Sequence, residues 1–357
     1  MIILERTRMT LTTSGRRRCM GLVLLFGGLF ATDLASAQNP QPCPTMRKIN
    51  IGVSVSPPNV VHTSPYIAKE LGLFAKHCVD VNIIQFDGGG SPAARAAASQ
   101  GTALVSVSDI AVGNGVKVKQ IWGLAPRLPQ AYAVGPDVKT AADLKGKRLS
   151  ASGGGVGSFN WAMGREVLKS AGLAPEDAVF LSAATAARMP GLVANQIDAV
   201  ALHPEDLYLG QQAKPGIHSL VQLANLLPNY MFNAYGGSTE WIARERPLMV
   251  DAMAALIEAN RLIYRDEAKV IPIMVAATGK PKEAVEYARK ALIASCIWSV
   301  NEGMTHERTQ WTIDNNVENG YVEAARKPTV EQVSDMKLAG EAVEKAGGRV
   351  TIGNCKE

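Results

Sequence analysis

Past its N-terminus the chain lacks any stretch approaching 18 uninterrupted apolar residues, so the bulk of the sequence supplies no bilayer-spanning helix. Charged residues are sparse at 19% and aromatics at 6%, while hydrophobic residues reach 47% of 357 positions. That composition suits one large domain or two smaller ones with real cores. The five cysteines form no CxxC and stand near no clustered histidines, which excludes the usual zinc arrangements. There is no HExxH, no nucleophile elbow and no Ser-His-Asp order, so no familiar hydrolytic machinery is present. Internal repeats and low-complexity tracts are also missing. A basic footprint is absent too: the formal charge is +5, but residues 1–37 carry five arginines against Glu5 and Asp33. The remaining 32 basic and 30 acidic residues are nearly balanced, which excludes nucleic acid as a partner on charge grounds.

What stands at the N-terminus is an export signal. Arg16, Arg17 and Arg18 form a positive region, "CMGLVLLFGGLF" is an apolar run too short to span a bilayer, and "ASA" at 35–37 fits the small-residue cleavage rule. The expectation is a periplasmic protein whose mature chain starts at Gln38. A retained membrane anchor is the alternative. Cys43 lacks the lipoprotein context, and Cys19 precedes the apolar run. Four cysteines then remain, and an even number in an exported chain suggests two disulfides. Cys43 and Cys78 each lie just before one of the first two predicted strands, and parallel neighbours would set those ends side by side. Cys296 and Cys355 are left to pair with each other.

Strand-like and helical stretches alternate along the first two thirds. "KINIGVSV" (48–55), "VDVNIIQF" (79–86), "TALVSVS" (102–108), "VKVKQIWGL" (116–124) and "QAYAVG" (130–135) read as strands, with a helix over 64–77 that Gly72 interrupts and an Ala-rich helix near 92–99. A second run follows: a capped turn at 140–146 with Thr140 as N-cap and Asp143 reaching back, strand 148–152, helix 158–170, strand 179–183, helix 188–196, strand 197–202, helix 204–213 and strand 217–223. Beyond residue 240 the pattern is helical, over 246–266, 281–295, 306–320 and 330–347. Two alternating runs predict an α/β protein with two doubly wound lobes, and a ligand outside the carboxyl ends of the strands, in the cleft between lobes.

The stretches "SPYIAKELGLFAKHCVDVNIIQFDGGGSPAARAAASQG" (64–101), "DLKGKRLSASGGGVGS" (143–158), "LKSAGLAPEDAVFL" (168–181) and "GLVANQIDAVALHPE" (191–205) together give the chain a resemblance. In that order and spacing it resembles periplasmic solute-binding proteins of ABC transporters, in the family of sulfonate, nitrate and taurine binders and of thiamine-precursor synthases. The resemblance implies a type II periplasmic binding fold with helices of the C-terminal part packing back on the first lobe. It places lobe 1 at 38–137 plus 232–357, lobe 2 at 138–231, and hinge crossovers near 135–140 and 225–237. It also implies a monomer without cofactor or metal, a small organic anion (aromatic carboxylate, sulfonate or similar) as ligand, and an ABC-transporter permease as partner. Presentation of the ligand to a membrane receptor is the alternative. The synthases carry a cysteine-rich motif that this chain lacks, so enzymatic activity is not expected. One departure stands out: "DIAVGNG" is too short for the full helix usual after Ser108.

The chemistry of the candidate site centres on "RLSASGGGVGSFNWAMGREVLKSAGL" (148–173). Three glycines follow a strand and open a helix, but neither a Walker A loop nor GxGxxG is completed. A Gly-rich turn at a helix start, with Ser152, Gly155, Val156, Gly157 and Ser158, suits a carboxylate or sulfonate. Across the cleft, His62, Thr63 and Ser64 precede a helix, and Gly88 and Gly89 end a strand. Ser108, Arg188 (a bidentate donor), His203 and Phe232 complete the expected ligand set, with Tyr230 beside Phe232 in the second crossover.

Overall fold

The computed structural model describes residues 43–86, 102–105, 107–152 and 158–355. The export signal, the Ala-rich stretch near 92–99, and Gly88, Gly89, Gly155, Val156 and Gly157 lie outside the described residues.

Among the described residues ten strands build two five-stranded sheets. The first orders β2 (Val79–Gln85), β1 (Arg47–Val53), β3 (Thr102–Val105), β10 (Asn233–Ser238) and β4 (Val118–Ala125). The second orders β7 (Val179–Ser182), β6 (Arg148–Ala151), β8 (Ala199–Leu202), β5 (Ala131–Val134) and β9 (His218–Gln222). In each, the strands of consecutive β–α units pair parallel, β1 with β2 and β3, β6 with β7 and β8. One strand in each runs the other way: β10 is antiparallel to β3 and β4, and β5 is antiparallel to β8 and β9.

These two strands correct the expected boundaries. Ala131–Val134 pairs with Ala199–Leu202 and so belongs to the second sheet, not to a first lobe ending at 137. The first crossover between sheets is therefore 126–130 rather than 135–140. The second expected crossover, 225–237, contains most of β10, whose Asn-Ala-Tyr-Gly-Gly sequence carries little β-branched signal. It earns its place through neighbours on both sides.

Helices cover the sheets. Helix Arg246–Arg265 carries Pro247 in its first turn, where the N–H that proline lacks would be unpaired anyway. It buries Leu248, Met249, Ala252, Met253, Leu256, Ala259 and Ile263 against the core that includes Ile49, Ile51, Trp122 and Tyr235. Helix 64–77 is split as read: Ser64–Glu70 and Leu73–Lys76 flank Gly72, which takes left-handed backbone with φ 69°. Two helical readings differ. Glu267–Thr278, with Pro272 inside, had no clean amphipathic signal. The stretch 330–347 breaks into Val330–Val333 and Met336–Lys345, because Asp335 caps the second piece by accepting from Leu338 N at 2.9 Å.

Only five helical residues, Asp109–Gly113, follow Ser108. The edge of β4 is covered: Gly123 N donates to Glu302 O and Asp335 N to Gln120 O. Gly123 and Gly303 approach so closely that a Cβ on either would collide with the other's carbonyl. Two cross-links, Cys43–Cys78 and Cys296–Cys355, fasten the outer layer, with Cα separations of 5.5 and 5.3 Å.

Candidate interlobe binding site

Four segments converge between the sheets. The turn Asn59–His62 comes from the end of the β1 connection, and His203 with the first turn of helix Pro204–Ala213 follows β8. Phe232 and Asn233 come from the second crossover, and Phe159 opens helix Phe159–Ser170. Phe232 packs against both hydrophobic cores. Its ring centroid lies 6.2 Å from His62, 6.2 Å from His203 and 5.4 Å from Phe159, and the two imidazoles meet edge-on at 5.7 Å. So one histidine from each lobe and one aromatic from the hinge share a buried contact.

The hydrogen bonds around the imidazoles are one-sided. The Asn233 amide nitrogen is 3.0 Å from His62 Nε2, and the Gln130 amide nitrogen is 3.1 Å from His203 Nε2. With the amides donating, both rings carry their proton on Nδ1. Each Nδ1 is buried without a partner, as are Asn160 Nδ2, Gln130 Oε1 and Asn59 Oδ1. Burial holds His62 neutral, its pKa pushed down to about 3. His203 is also driven well below the usual range, first by burial, then by His62, Arg188 and Lys280. The arrangement offers two neutral N–H donors between aromatic rings, with the Arg188 cation close enough to act on His203. That chemistry suits an acidic group attached to a planar or apolar body.

Bonds also cross the cleft directly. Asn59 Nδ2 donates to Glu205 Oε1 and to Asp206 Oδ2, both at 3.1 Å, and Val60 N donates to Glu205 Oε1 at 2.9 Å. Lys280, from the first lobe, pairs with Asp206. Tyr208 stacks on Tyr287 at 4.9 Å. The segments of the two sheets are thus in direct contact here. Two pockets among the described residues lie elsewhere: one beside Trp298 and the Cys296–Cys355 bridge, the other between Val112–Lys119 and Ala325–Gln332. Neither includes His62, His203 or Phe232. The site is marked by its unpartnered buried polar atoms.

The expected residues fall into three groups. His62, His203 and Phe232 are brought together, and the charge of Arg188 reaches His203. Ser152 and Ser158 flank the turn at Phe159, but they bond locally: Ser152 N donates to Ser158 Oγ at 2.9 Å, and Asn160 N to Ser152 Oγ at 3.3 Å. Thr63 and Ser64 are placed differently from expectation. Their hydroxyls are committed within the first lobe, to Val60 O at 2.8 Å and to Asn260 Oδ1 at 2.6 Å. Ser108 caps Asp109–Gly113 by accepting from Ala111 N. Tyr230 packs on the core of the second lobe. Asn59, Gln130, Phe159 and Asn233 were not in the expected set. Only their positions at strand and turn ends could have signalled them.

The NMT1/THI5 like family profile matches residues 59–268. The chain belongs to that family. No curated protein sequence matches it. Among solved structures, the alkanesulfonate-binding protein SsuA from Xanthomonas axonopodis pv. citri, bound to MOPS, is similar at TM-score 0.65 and 19% identity, over 82% of this chain and 100% of that one. The periplasmic nitrate-binding protein NrtA from Synechocystis PCC 6803 is similar at TM-score 0.66 and 16% identity, over 84% and 89%. The desulfurization enzyme DSZB shares the fold at TM-score 0.56 and 14% identity, over 83% and 99%. The fold is that of periplasmic binding proteins. Among the described residues no group of three or more His, Cys, Asp or Glu is arranged to hold a metal ion, and no helix is long and apolar enough to cross a membrane.

Proposed function

We propose that this protein is an exported solute-binding protein that captures a small organic anion between its lobes and delivers it to an ABC-transporter permease. The observation that carries the reading is the meeting of His62 and His203, one from each lobe, each with a buried Nδ1 that has no protein partner. A ligand accepting from both would bond the lobes together, which is how binding free energy becomes hinge closure. Phe159 and Phe232 favour an anion with an aromatic or otherwise flat apolar body, such as an aromatic carboxylate or sulfonate. Arg188 supplies the positive charge. In this reading the protein acts as a monomer in the periplasm after removal of residues 1–37. The test is a thermal-shift screen of carboxylic and sulfonic acids. A ligand at about 100 times its Kd stabilises by roughly 2.7 kcal/mol, a readily measured rise in melting temperature. A panel of aromatic and aliphatic acids that moves the transition nowhere would contradict the reading.

A further inference from the structure

We infer that Glu205 closes the cleft in its protonated form, and that its Oε2 is a hydrogen-bond donor lining the interlobe site. Glu205 is fully buried. Its Oε1 accepts two bonds from the opposite lobe, from Val60 N at 2.9 Å and Asn59 Nδ2 at 3.1 Å, while Oε2 is buried with no partner. An ionised carboxylate with one oxygen bare in a closed interior is costly, whereas a carboxylic acid places its proton on that oxygen and becomes a donor. Among the described residues no cation is hydrogen-bonded to Glu205, and Lys280 pairs with Asp206. Of the surrounding charges, Asp206 opposes ionisation of Glu205 and Lys280 favours it, while His62 and His203 are neutral. On the packed helix Lys282–Ala294, Lys282 pairs with Glu286 and Arg289 with Glu267. Burial first, then Asp206, raises the carboxyl to about 7. The placement of Oε2 as a ligand donor rests on the proposed function; the protonated state does not. Its consequence for binding is that the site meets an anion with an acid rather than a repelling carboxylate, so capture weakens once the proton is lost.

The direction of the pH effect follows from the raised pKa. Stability from this group is fully present below the usual carboxylate range near 4.5 and is lost as pH rises through about 7. The experiment uses ligand-free protein, unfolded with denaturant between pH 5 and pH 8.5, for the wild type and Glu205→Gln, which keeps the Oε1 acceptor and cannot ionise. The wild type should lose stability relative to the variant across this window, by a factor on the order of a hundred in the unfolding equilibrium. A constant difference between the two would overturn the inference. As a second readout that needs no variant, the infrared band of a buried protonated carboxyl should be present at pH 5.5 and vanish by pH 8.5. Its absence at pH 5.5 would equally overturn it. Neither readout involves a ligand, so a failed search for organic acids leaves this result standing on its own.

Discussion

Replacing Lys280 with methionine removes one partner of the ion pair that joins the lobes. Lys280 and Asp206 are only 17% and 13% exposed, so each is largely stripped of water in the closed form. Leaving one charge of a buried pair uncompensated costs about 3–5 kcal/mol. Asp206 retains the bond from Asn59 Nδ2, which softens the loss, so about 2–3 kcal/mol is expected. The penalty disappears when the lobes part, because Asp206 then returns to water. It therefore weighs against the closed form. Calorimetric affinity for the strongest organic-acid hit should drop roughly thirty- to a hundredfold. Adding Asp206→Asn to Lys280→Met should recover most of the affinity, since both charges are then gone. An unchanged affinity in Lys280→Met, or no recovery in the double variant, would show that the pair does not govern closure.

Peptide mapping without reduction should return Cys43–Cys78 and Cys296–Cys355. Their sequence separations of 35 and 59 residues imply that each bridge stabilises the fold by about 4 kcal/mol through the unfolded chain, so reduction should lower the melting temperature sharply. Ser158→Ala removes the acceptor for the part-buried Ser152 N–H and should lower unfolding stability by about 1–3 kcal/mol; an unchanged midpoint would mean that this local bond contributes nothing. Because His62 is held neutral down to about 3, stability from this group is present above 6.5 and is lost as pH falls through the acid range. His62→Gln should flatten that acid loss, as read by denaturant unfolding between pH 4 and pH 7.

The α/β alternation was legible because short apolar runs, several of them β-branched such as Arg47–Val53 and Val79–Gln85, alternate with helices of which some begin at a recognisable signal, as Thr140 with Asp143 and Pro204 after His203 show. The two antiparallel strands were the weak point. "QAYAVG" looks the same whichever sheet it joins, and only its partners β8 and β9 reveal its lobe. Asn233–Ser238 is a strand because it fills the slot between β3 and β4, not because of its own propensity. At the site, the histidines were legible from their positions at the ends of a first-lobe turn and a second-lobe strand. Their partners were not, because Asn59, Gln130 and Asn233 are ordinary polar residues until the fold brings them within bonding distance. The hydroxyls of Thr63 and Ser64 read from sequence as ligand donors at a helix start; in the fold they donate to the carbonyl of Val60 and to Asn260 on the long helix, partners the sequence does not reveal.

The central claim is that one imidazole from each lobe holds the ligand's acidic group. It is tested most directly by titrating the best organic-acid hit into the wild type, His62→Ala and His203→Ala by calorimetry at pH 7. Each variant loses one hydrogen bond to a charged group, worth about 1.5–3 kcal/mol, so each should bind roughly ten- to a hundredfold more weakly with the fold intact. Both variants binding within twofold of the wild type would contradict the account and move the anion away from the histidine pair.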